Sequence, residues 1–115
     1  MNAPKPSRGE VWLVNLNSTR GHEQAGIRPA LVVSTDGFNH GPAGLVVVLP
    51  LTTTWRGIPL HVPMAPPEGG VRQQSYAKCE DIRSISTGRL MERWGAVSVD
   101  TMALVEDRLR ILLEL

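Results

Sequence analysis

Apolar and polar positions along the chain form short segments that predict β-strands separated by turns. In residues 9–16 the pattern alternates, with Val11 and Leu13 on one face and Trp12 and Val14 on the other. We therefore expect a strand that is at least half buried on both faces. Residues 45–51 form a nearly continuous run of Val and Leu, which is typical of a strand buried on both faces. Further strands are predicted at residues 27–34, 58–62, 71–79, 82–85 and 93–97.

The pattern changes near the C-terminus, where it predicts a closing helix. Met102, Val105, Leu109 and Leu112 recur at spacings of three, four and three residues, which is typical of an amphipathic helix packed on a sheet. Ser98 precedes this run and is a candidate N-cap. A short helical turn is also expected at residues 88–92.

Two longer connections interrupt the strands. Residues 17–26 are polar and include Gly21 and Gly26, so they predict a loop long enough to carry a functional site. Just after it, Pro29 holds the preceding residue, Arg28, in an extended conformation. Residues 35–44 are rich in Gly, Asn, Asp and Pro and predict a second connection.

These elements predict a mainly β (α+β) fold, a small and strongly bent antiparallel sheet or barrel with a C-terminal helix. A parallel sheet would need crossover helices between its strands, and the pattern contains none. With 115 residues, the chain has the usual size of one domain. We expect a flexible N-terminus at residues 1–7 and a single domain at residues 8–115.

The termini and the cysteine content point to a cytoplasmic protein. Residues 1–7 contain two prolines and no apolar run, so neither a signal peptide nor a membrane anchor is expected. Cys79 is the sole cysteine, which excludes an internal disulfide and a cysteine-rich zinc site. We expect Cys79 to be a small core residue and the protein to use neither a metal nor another cofactor.

The charge balance argues against a general nucleic-acid coat protein but allows a local basic patch. The net charge is +1, far from the broad positive surface of such proteins. Ten of the twelve cationic residues are arginine, which favours two-point binding of phosphate or carboxylate, although a GC-rich genome would give the same bias. Aromatic residues make up only 4% of the chain, so contacts to nucleic acid are expected to depend on charge and backbone.

Three segments resemble the MazF (PemK) toxin family when their order and spacing are taken together. They are R-G-E-V-W at residues 8–12, G-H-E-Q-A-G-I-R-P-A at residues 21–30 and L-P-L-T-T at residues 49–53. Similar family segments also match E-D-I-R-S-I at residues 80–85, R-L at residues 89–90 and the final helix. The resemblance covers about residues 8–113.

The resemblance implies a Src-homology-3-like barrel with a C-terminal helix and a sequence-selective, metal-independent endoribonuclease. Such enzymes cleave single-stranded RNA, including messenger RNA, to 2′,3′-cyclic phosphate and 5′-hydroxyl ends. It also implies a homodimer and a MazE-like antitoxin as partners. Arg28 and Thr52 fall on the family's two catalytic positions, and Glu23 lies in the loop that shapes the site.

The residue types at these positions suit RNA cleavage. A 2′-hydroxyl that attacks its own phosphate needs a proton acceptor, stabilisation of the phosphorane and a proton for the leaving oxygen. Arg28 offers a planar fork of donors to phosphate oxygens, and because arginine keeps its proton near neutral pH we expect it to stabilise charge rather than act as the base. Thr52 offers a hydroxyl proton, and Glu23 is a candidate acceptor or a partner that orients Arg28. Without the resemblance, Glu23 and Arg28 would be interpreted as a loop salt bridge.

Other residues are secondary candidates for binding the substrate: Arg20, His22, Gln24, Arg56 and Asp81. The arginines suit flanking phosphates, but surface arginines are usually only solvated charge. Asp81 stands where many relatives carry Gln, and its charge would repel phosphate if it faced the site. Trp12, Trp55 and Trp94 are interpreted as core residues, with apolar contacts to the antitoxin as the alternative.

Two rival functions stay open from the residues. The first is a non-enzymatic toxin of similar fold that poisons DNA gyrase, as in the CcdB family. That family carries a Trp-Gly tail, whereas this chain ends in I-L-L-E-L. The second is a barrel that has lost activity and only binds a partner.

Overall fold

The computed structural model describes residues 4–17 and 25–115, which form seven strands, two α-helices and three short 3-10 turns. The strands are β1 (Glu10–Asn15), β2 (Ile27–Val32), β3 (Leu45–Thr52), β4 (His61–Met64), β5 (Ser75–Lys78), β6 (Arg83–Ser86) and β7 (Leu90–Ala96). The helices are α1 (Asp36–Asn39) and α2 (Val99–Leu113), and the 3-10 turns are Glu68–Gly70, Cys79–Asp81 and Thr87–Arg89.

The strands form one bent antiparallel sheet in the order β4-β5-β3-β2-β1-β7. Strand β3 is its centre, because one edge pairs with β2 while the other pairs first with β6 and then with β5. Among the described residues β7 and β4 do not pair with each other, so the sheet is open at that seam. This arrangement confirms the predicted mainly β fold with a C-terminal helix.

The central strands bury both faces, as the alternating pattern predicted. Val11 belongs to one core cluster together with Leu31 and Leu49, and all three side chains are fully buried. Val14 belongs to a second cluster, and Trp12 packs against it. The buried thiol of Cys79 is part of the first cluster, as expected for a small core residue.

Helix α2 covers the first cluster through the stripe that the spacing predicted. Val105 is fully buried, and Met102 and Leu109 pack against the same cluster. The Oγ of Ser98 accepts a hydrogen bond from the Thr101 N–H at 3.2 Å, which confirms the N-cap. Since an N-cap satisfies a helix N–H that has no helical partner, the side-chain hydroxyl of Ser98 fixes where α2 begins.

Several predicted boundaries were wrong. The strand expected at residues 58–62 begins only at His61, because the chain turns there and the His61 N–H bonds the Ile58 carbonyl at 3.0 Å. The strand expected at residues 71–79 is confined to β5, where β4 supplies a partner. The helical turn expected at residues 88–92 is Thr87–Arg89, since Leu90 already pairs with Val14.

The connection at residues 35–44 contains the one-turn helix α1, which the composition did not predict. Buried Asn39 holds it in place, because its Nδ2 donates to the Ser34 carbonyl at 2.9 Å. The carboxylate of Asp36 accepts the Arg8 N–H at 2.8 Å. These polar contacts stabilise a turn that has too few apolar residues to be detected by periodicity.

Part of the segment predicted as a flexible N-terminus packs on the domain. Pro6 is buried, and its carbonyl lies 2.8 Å from His40 Nε2. The Ser7 N–H donates to the Glu10 carboxylate at 2.7 Å. Over the described part of the chain, no helix is long and apolar enough to cross a membrane.

The turn Glu68–Gly70 packs directly on β7, and this contact yields a stability prediction. Gly70 has φ +78°, and a Cβ there would lie 2.4 Å from the Trp94 carbonyl oxygen. Gly57 has a similar φ of +65° with no atom within 4 Å of its Cβ position. We expect Gly57→Ala to lower the unfolding free energy by about 1 kcal/mol through backbone strain alone, and Gly70→Ala by at least about 2 kcal/mol more through the clash.

Urea unfolding of both variants measures this difference. Equal losses for Gly70→Ala and Gly57→Ala would show that the turn does not pack tightly against β7.

Candidate active site

Strand pairing places Arg28 and Thr52 on the same face of the sheet. In the β2–β3 ladder Ala30 pairs with Pro50, and the same antiparallel register, continued by two residues, sets Arg28 opposite Thr52. Side chains two residues apart along a strand point to the same face. The ladder itself ends at Ala30 and Pro50, and its register directs the two residues that the family resemblance singled out to the same face, at the start of β2 and the end of β3.

The backbone around Arg28 is well defined. Its Nε donates to the Ala25 carbonyl at 3.0 Å, which ties the guanidinium to the residues just before β2. The Leu16 N–H bonds the Gly26 carbonyl at 2.8 Å, so the two sides of the intervening loop meet at its base. Arg28 is exposed, and because its backbone belongs to a paired strand its donors are held rather than freely mobile.

Thr52 is nearly buried, with 7% of its surface exposed. Its Oγ1 accepts the Thr54 N–H at 3.2 Å. This bond uses a lone pair of the hydroxyl and leaves its proton able to donate elsewhere. On the neighbouring strand Tyr76 pairs directly with Thr52.

A cleft of about 350 Å³ opens beside Arg28. Its described walls come from the start of β2, the end of β3, the loop before β5 and strand β7: Ile27, Arg28, Pro29, Thr53, Val71, Arg72, Gln73, Ser75 and Trp94. The Arg72 guanidinium carbon lies 5.7 Å from the centre of the Trp94 ring. A cation over an aromatic face is attracted to it, which steadies a second arginine in the cleft.

Three of the four described segments that border this cleft are free of acidic residues, while the fourth, β7, carries Glu92. Residues 25–34, 49–64 and 69–79 carry Arg28, Arg56, Arg72 and Lys78 and contain no Asp or Glu. Lys78 is nearly buried and lies 3.7 Å from Asp81, so the exposed positive charge of these segments comes from the three arginines. The near-neutral total therefore conceals a local positive region suited to an anionic ligand.

Arg89, just before β7, binds the start of the connection between β1 and β2. Its Nη1 donates to the carbonyls of Asn15 and Asn17 at 3.2 and 2.9 Å. Both carbonyls lie at the point where the chain leaves β1. Arg89, in the R-L pair that resembles a family segment, thus has a structural role at the base of the loop.

Only some of the predicted site residues lie within the described part of the chain. The candidates Arg20, His22, Glu23 and Gln24 fall at residues 18–24, outside the described residues. Arg56 is exposed but does not line the cleft.

Asp81 is compensated by neighbouring cations. Its carboxylate lies 2.7 Å from Arg83 Nη2 and 3.7 Å from Lys78 Nζ, and it is absent from the described walls of the cleft. Its side chain is only 10% exposed. A role of Asp81 in substrate binding stays a hypothesis, and these contacts argue that it carries little uncompensated charge toward phosphate.

Sequence reasoning missed the loop before β5 as part of the site. Arg72, Gln73 and Ser75 line the cleft, although residues 71–79 were predicted as one strand. The polar run R-Q-Q-S at residues 72–75 breaks the alternation and was the available signal. The prediction that Trp55 is a core residue was also wrong, because 63% of its surface is exposed.

The Cys79 thiol lies in the core, not in the cleft, and is not poised to react. Burial raises the pKa of the Cys79 thiol to about 11, and the charge of Glu80 adds to this effect. The described residues contain no group of three His, Cys, Asp or Glu side chains placed to hold a metal ion.

Comparison with known proteins identifies close relatives over nearly the whole chain. Residues 7–113 match the family described as PemK-like, MazF-like toxin of type II toxin-antitoxin system. The chain is 35% identical over 113 residues to endoribonuclease MazF9 of Mycobacterium tuberculosis (strain ATCC 25618 / H37Rv), which covers 94% of this chain and 96% of the relative.

Solved structures show the same fold. MazF from Deinococcus radiodurans superposes with a TM-score of 0.86 at 29% identity, over 97% of this chain and 99% of that one. An endoribonuclease from a mycobacterial species, solved in complex with its cognate antitoxin, gives a TM-score of 0.80 at 30% identity over 96% of each chain.

The raised pKa of Cys79 predicts an unreactive thiol. Only the thiolate attacks a disulfide reagent, and a shift from 9.0 to about 11 reduces the thiolate fraction roughly 100-fold at pH 8. We expect Ellman's reagent to label the native protein at least about 100-fold more slowly than the urea-unfolded protein at that pH. Equal rates would mean that Cys79 is accessible and that a nucleophilic thiol has to be reconsidered.

Proposed function

Because this chain belongs to the PemK-like, MazF-like toxins of type II toxin-antitoxin systems, we propose that it is an endoribonuclease that cleaves single-stranded RNA and is inhibited by a cognate antitoxin. The observation that carries this proposal is the convergence of Arg28 and Thr52 on one sheet face, beside a cleft bordered by cationic segments. Its substrates include messenger RNA, and it acts in the cytoplasm, where that RNA is translated.

The proposed reaction is an internal transfer of phosphate. The ribose 2′-oxygen forms a bond to the adjacent phosphorus, the bond from phosphorus to the 5′-oxygen of the next nucleotide breaks, and that oxygen takes up a proton from solvent water, which is balanced by the 2′-proton that the base later releases. The products are a 2′,3′-cyclic phosphate and a 5′-hydroxyl. The 2′-proton passes to a base as the first bond forms, so the reaction needs no metal ion to balance its atoms or charges.

Arg28 acts on the charge that builds up on phosphorus. Its guanidinium donates to the non-bridging oxygens of the phosphorane, which carry more negative charge than the oxygens of the starting diester. The bond from Nε to Ala25 fixes the plane of the fork before substrate binds. Donors that need no reorganisation during the reaction stabilise the transition state most.

Thr52 supplies a second donor from the opposite strand. The Thr54 N–H occupies a lone pair of Oγ1, which restricts the hydroxyl and directs its proton away from the backbone. Since Thr52 is nearly buried, a hydrogen bond from it to a phosphate oxygen forms with little competition from water.

Glu23 is our proposed proton acceptor, or else the group that orients Arg28. A carboxylate can accept the 2′-proton, and the loop that carries Glu23 leaves β1 and returns to β2 immediately before Arg28. The rate of a reaction with Glu23 as general base falls at acid pH as the carboxylate becomes protonated.

We propose a homodimer that binds its antitoxin through apolar surface. Helix α2 and the chain terminus expose large aliphatic side chains: Val99, Leu104, Ile111, Leu113 and Leu115. Exposed apolar side chains that recur along one element suit a protein interface. An antitoxin tail that carries acidic residues complements the cationic segments around the cleft.

The first prediction of this mechanism concerns Arg28. Purified protein with excess chelator is expected to cut a mixed-sequence single-stranded RNA and to leave 5′-hydroxyl ends. Arg28→Ala should retain the fold and lose at least about 100-fold in kcat, because one transition-state donor pair is removed. Arg28→Lys keeps the positive charge but not the planar fork of donors, and it should recover only a small part of the lost kcat.

Arg93→Ala is the matched control, because it also removes one exposed arginine but from the ion pair with Glu10 at 2.6 Å, and it should cut RNA normally. Loss of cleavage in chelator would contradict the metal-independent mechanism. Inhibition of DNA gyrase without RNA cleavage would favour the rival toxin class.

A second prediction separates the hydroxyl of Thr52 from its shape. Thr52→Val is nearly isosteric and should lower single-turnover kcat about 10- to 1,000-fold with little change in RNA binding, by comparison with other oxyanion donors. Thr52→Ser restores the hydroxyl and should recover most of the rate. If Thr52→Val and Thr52→Ser cleaved equally well, Thr52 would have only a structural role.

A further inference from the structure

Trp55 is a large aromatic residue left in water beside the proposed catalytic threonine. It is 63% exposed, although removing so large an apolar ring from water is favourable. Its ring does not lie loose on the surface, since its centre is 5.2 Å from that of Tyr76 at an interplanar angle of 43°. The pair therefore presents an ordered aromatic surface to solvent.

The register of the sheet places this pair next to Thr52. Tyr76 is the direct partner of Thr52 in the β3–β5 ladder, and side chains at paired positions lie about 4.5–5.5 Å apart at Cβ on the same face. Trp55 follows Thr52 by three residues. The aromatic pair thus extends the sheet face that carries the proposed catalytic residues.

The surroundings of Trp55 select the kind of ligand. Its sequence neighbours are polar or small (Thr53, Thr54, Arg56 and Gly57), and residues 49–64 contain no acidic side chain. Among the described residues, five of the seven exposed Val, Leu and Ile side chains lie on or after α2, and the other two are Ile27 and Leu45. An exposed aromatic pair beside cationic and polar residues suits a ligand that combines planar rings with phosphates, which is the composition of single-stranded RNA.

We propose that Trp55, supported by Tyr76, stacks on one base of the RNA, belonging to a nucleotide next to the cleaved linkage. This inference rests on the proposed endoribonuclease function and assigns it a substrate-positioning residue. Stacking on the ring fixes the backbone that enters the site, while Thr52 contacts the phosphate. Tyr76 limits the orientations of the indole, so less conformational entropy is lost on binding.

The test measures binding of an uncleavable substrate. The cut sequence is first mapped from 5′-hydroxyl ends, and an oligonucleotide of that sequence is made with 2′-deoxyribose at the cleaved linkage, which removes the nucleophile. Trp55→Ala should raise the Kd about 5- to 100-fold, the usual effect of losing one stacked base. Trp55→Phe keeps a ring and should recover most of the affinity.

The matched control is Phe38→Ala, which removes another exposed aromatic side chain from α1 and should leave the Kd unchanged. A scan with single abasic nucleotides then locates the contact. At one position only, removal of the base should make wild type and Trp55→Ala bind equally, because the stacking partner is already absent.

Four results would overturn the proposal. An unchanged Kd for Trp55→Ala would show that the ring does not contact RNA, while RNA cleavage by the wild type would leave the proposed function intact. A loss that is the same at every abasic position would indicate a structural effect. A changed dimer mass or a weaker affinity for the antitoxin, with an unchanged RNA Kd, would assign Trp55 to a protein interface. If the wild type cuts no RNA, the proposed function fails and this inference fails with it.

Discussion

The pairing of β3 on both edges is the constraint on which the site depends. One edge holds β2 through Ala30, Leu31 and Val32, while the other holds β6 and then β5. Because the register of a buried strand cannot slip by one residue without exposing its core face, the packing of Leu49 and Leu51 in the first cluster also fixes the facing of Thr52. The proposed catalytic geometry is thus a consequence of core packing several residues away.

The distribution of charge on this sheet makes the cleft more positive than the rest of the surface. Acidic residues elsewhere are bound to specific cations, as in the ion pairs of Arg8 with Glu106 and Arg93 with Glu10. Burial alone would raise the pKa of Glu10, but hydrogen bonds from Arg93, the Ser7 N–H and Trp12 lower it below its ordinary value. Glu10 therefore stays charged at neutral pH and pairs with Arg93, which is not among the described residues that line the cleft.

Much of the fold was predictable from periodicity, because apolar alternation and helical spacing report directly on burial. The strand at residues 9–16, the Val-rich strand β3, Ser98 as N-cap and the α2 stripe were all confirmed. Strand ends at β4 and β5 were not, since a strand stops where its partner stops and the partner is set by tertiary pairing. Helix α1 was not predicted, because it depends on single polar contacts of Asn39 and Asp36.

The candidate site was predictable to a different degree for each residue. Arg28 and Thr52 stood out by resemblance to a family, and the ladder supports their proximity. Arg72 and Gln73 lie in the cleft through the loop before β5, and no local pattern encodes where that loop folds. The exposure of Trp55 was not predicted, because the average tendency of tryptophan to be buried does not determine the position of one particular ring.

The distribution of aromatic residues changes what the low aromatic content means. Three of the five Phe, Trp and Tyr residues, Trp55, Tyr76 and Trp94, border the cleft or the face of Thr52. Stacking and phosphate contacts tolerate any base, because every base has a flat face and every nucleotide a phosphate. Selection of a cut sequence therefore has to come from hydrogen bonds to base edges. Gln73 is an uncharged polar residue beside Arg72 in the cleft wall, whereas Ser75 is nearly buried and donates its hydroxyl to the Gln73 carbonyl at 3.0 Å. Gln73, in the loop before β5, is therefore a natural place for sequence choice to vary without disturbing the proposed catalytic pair.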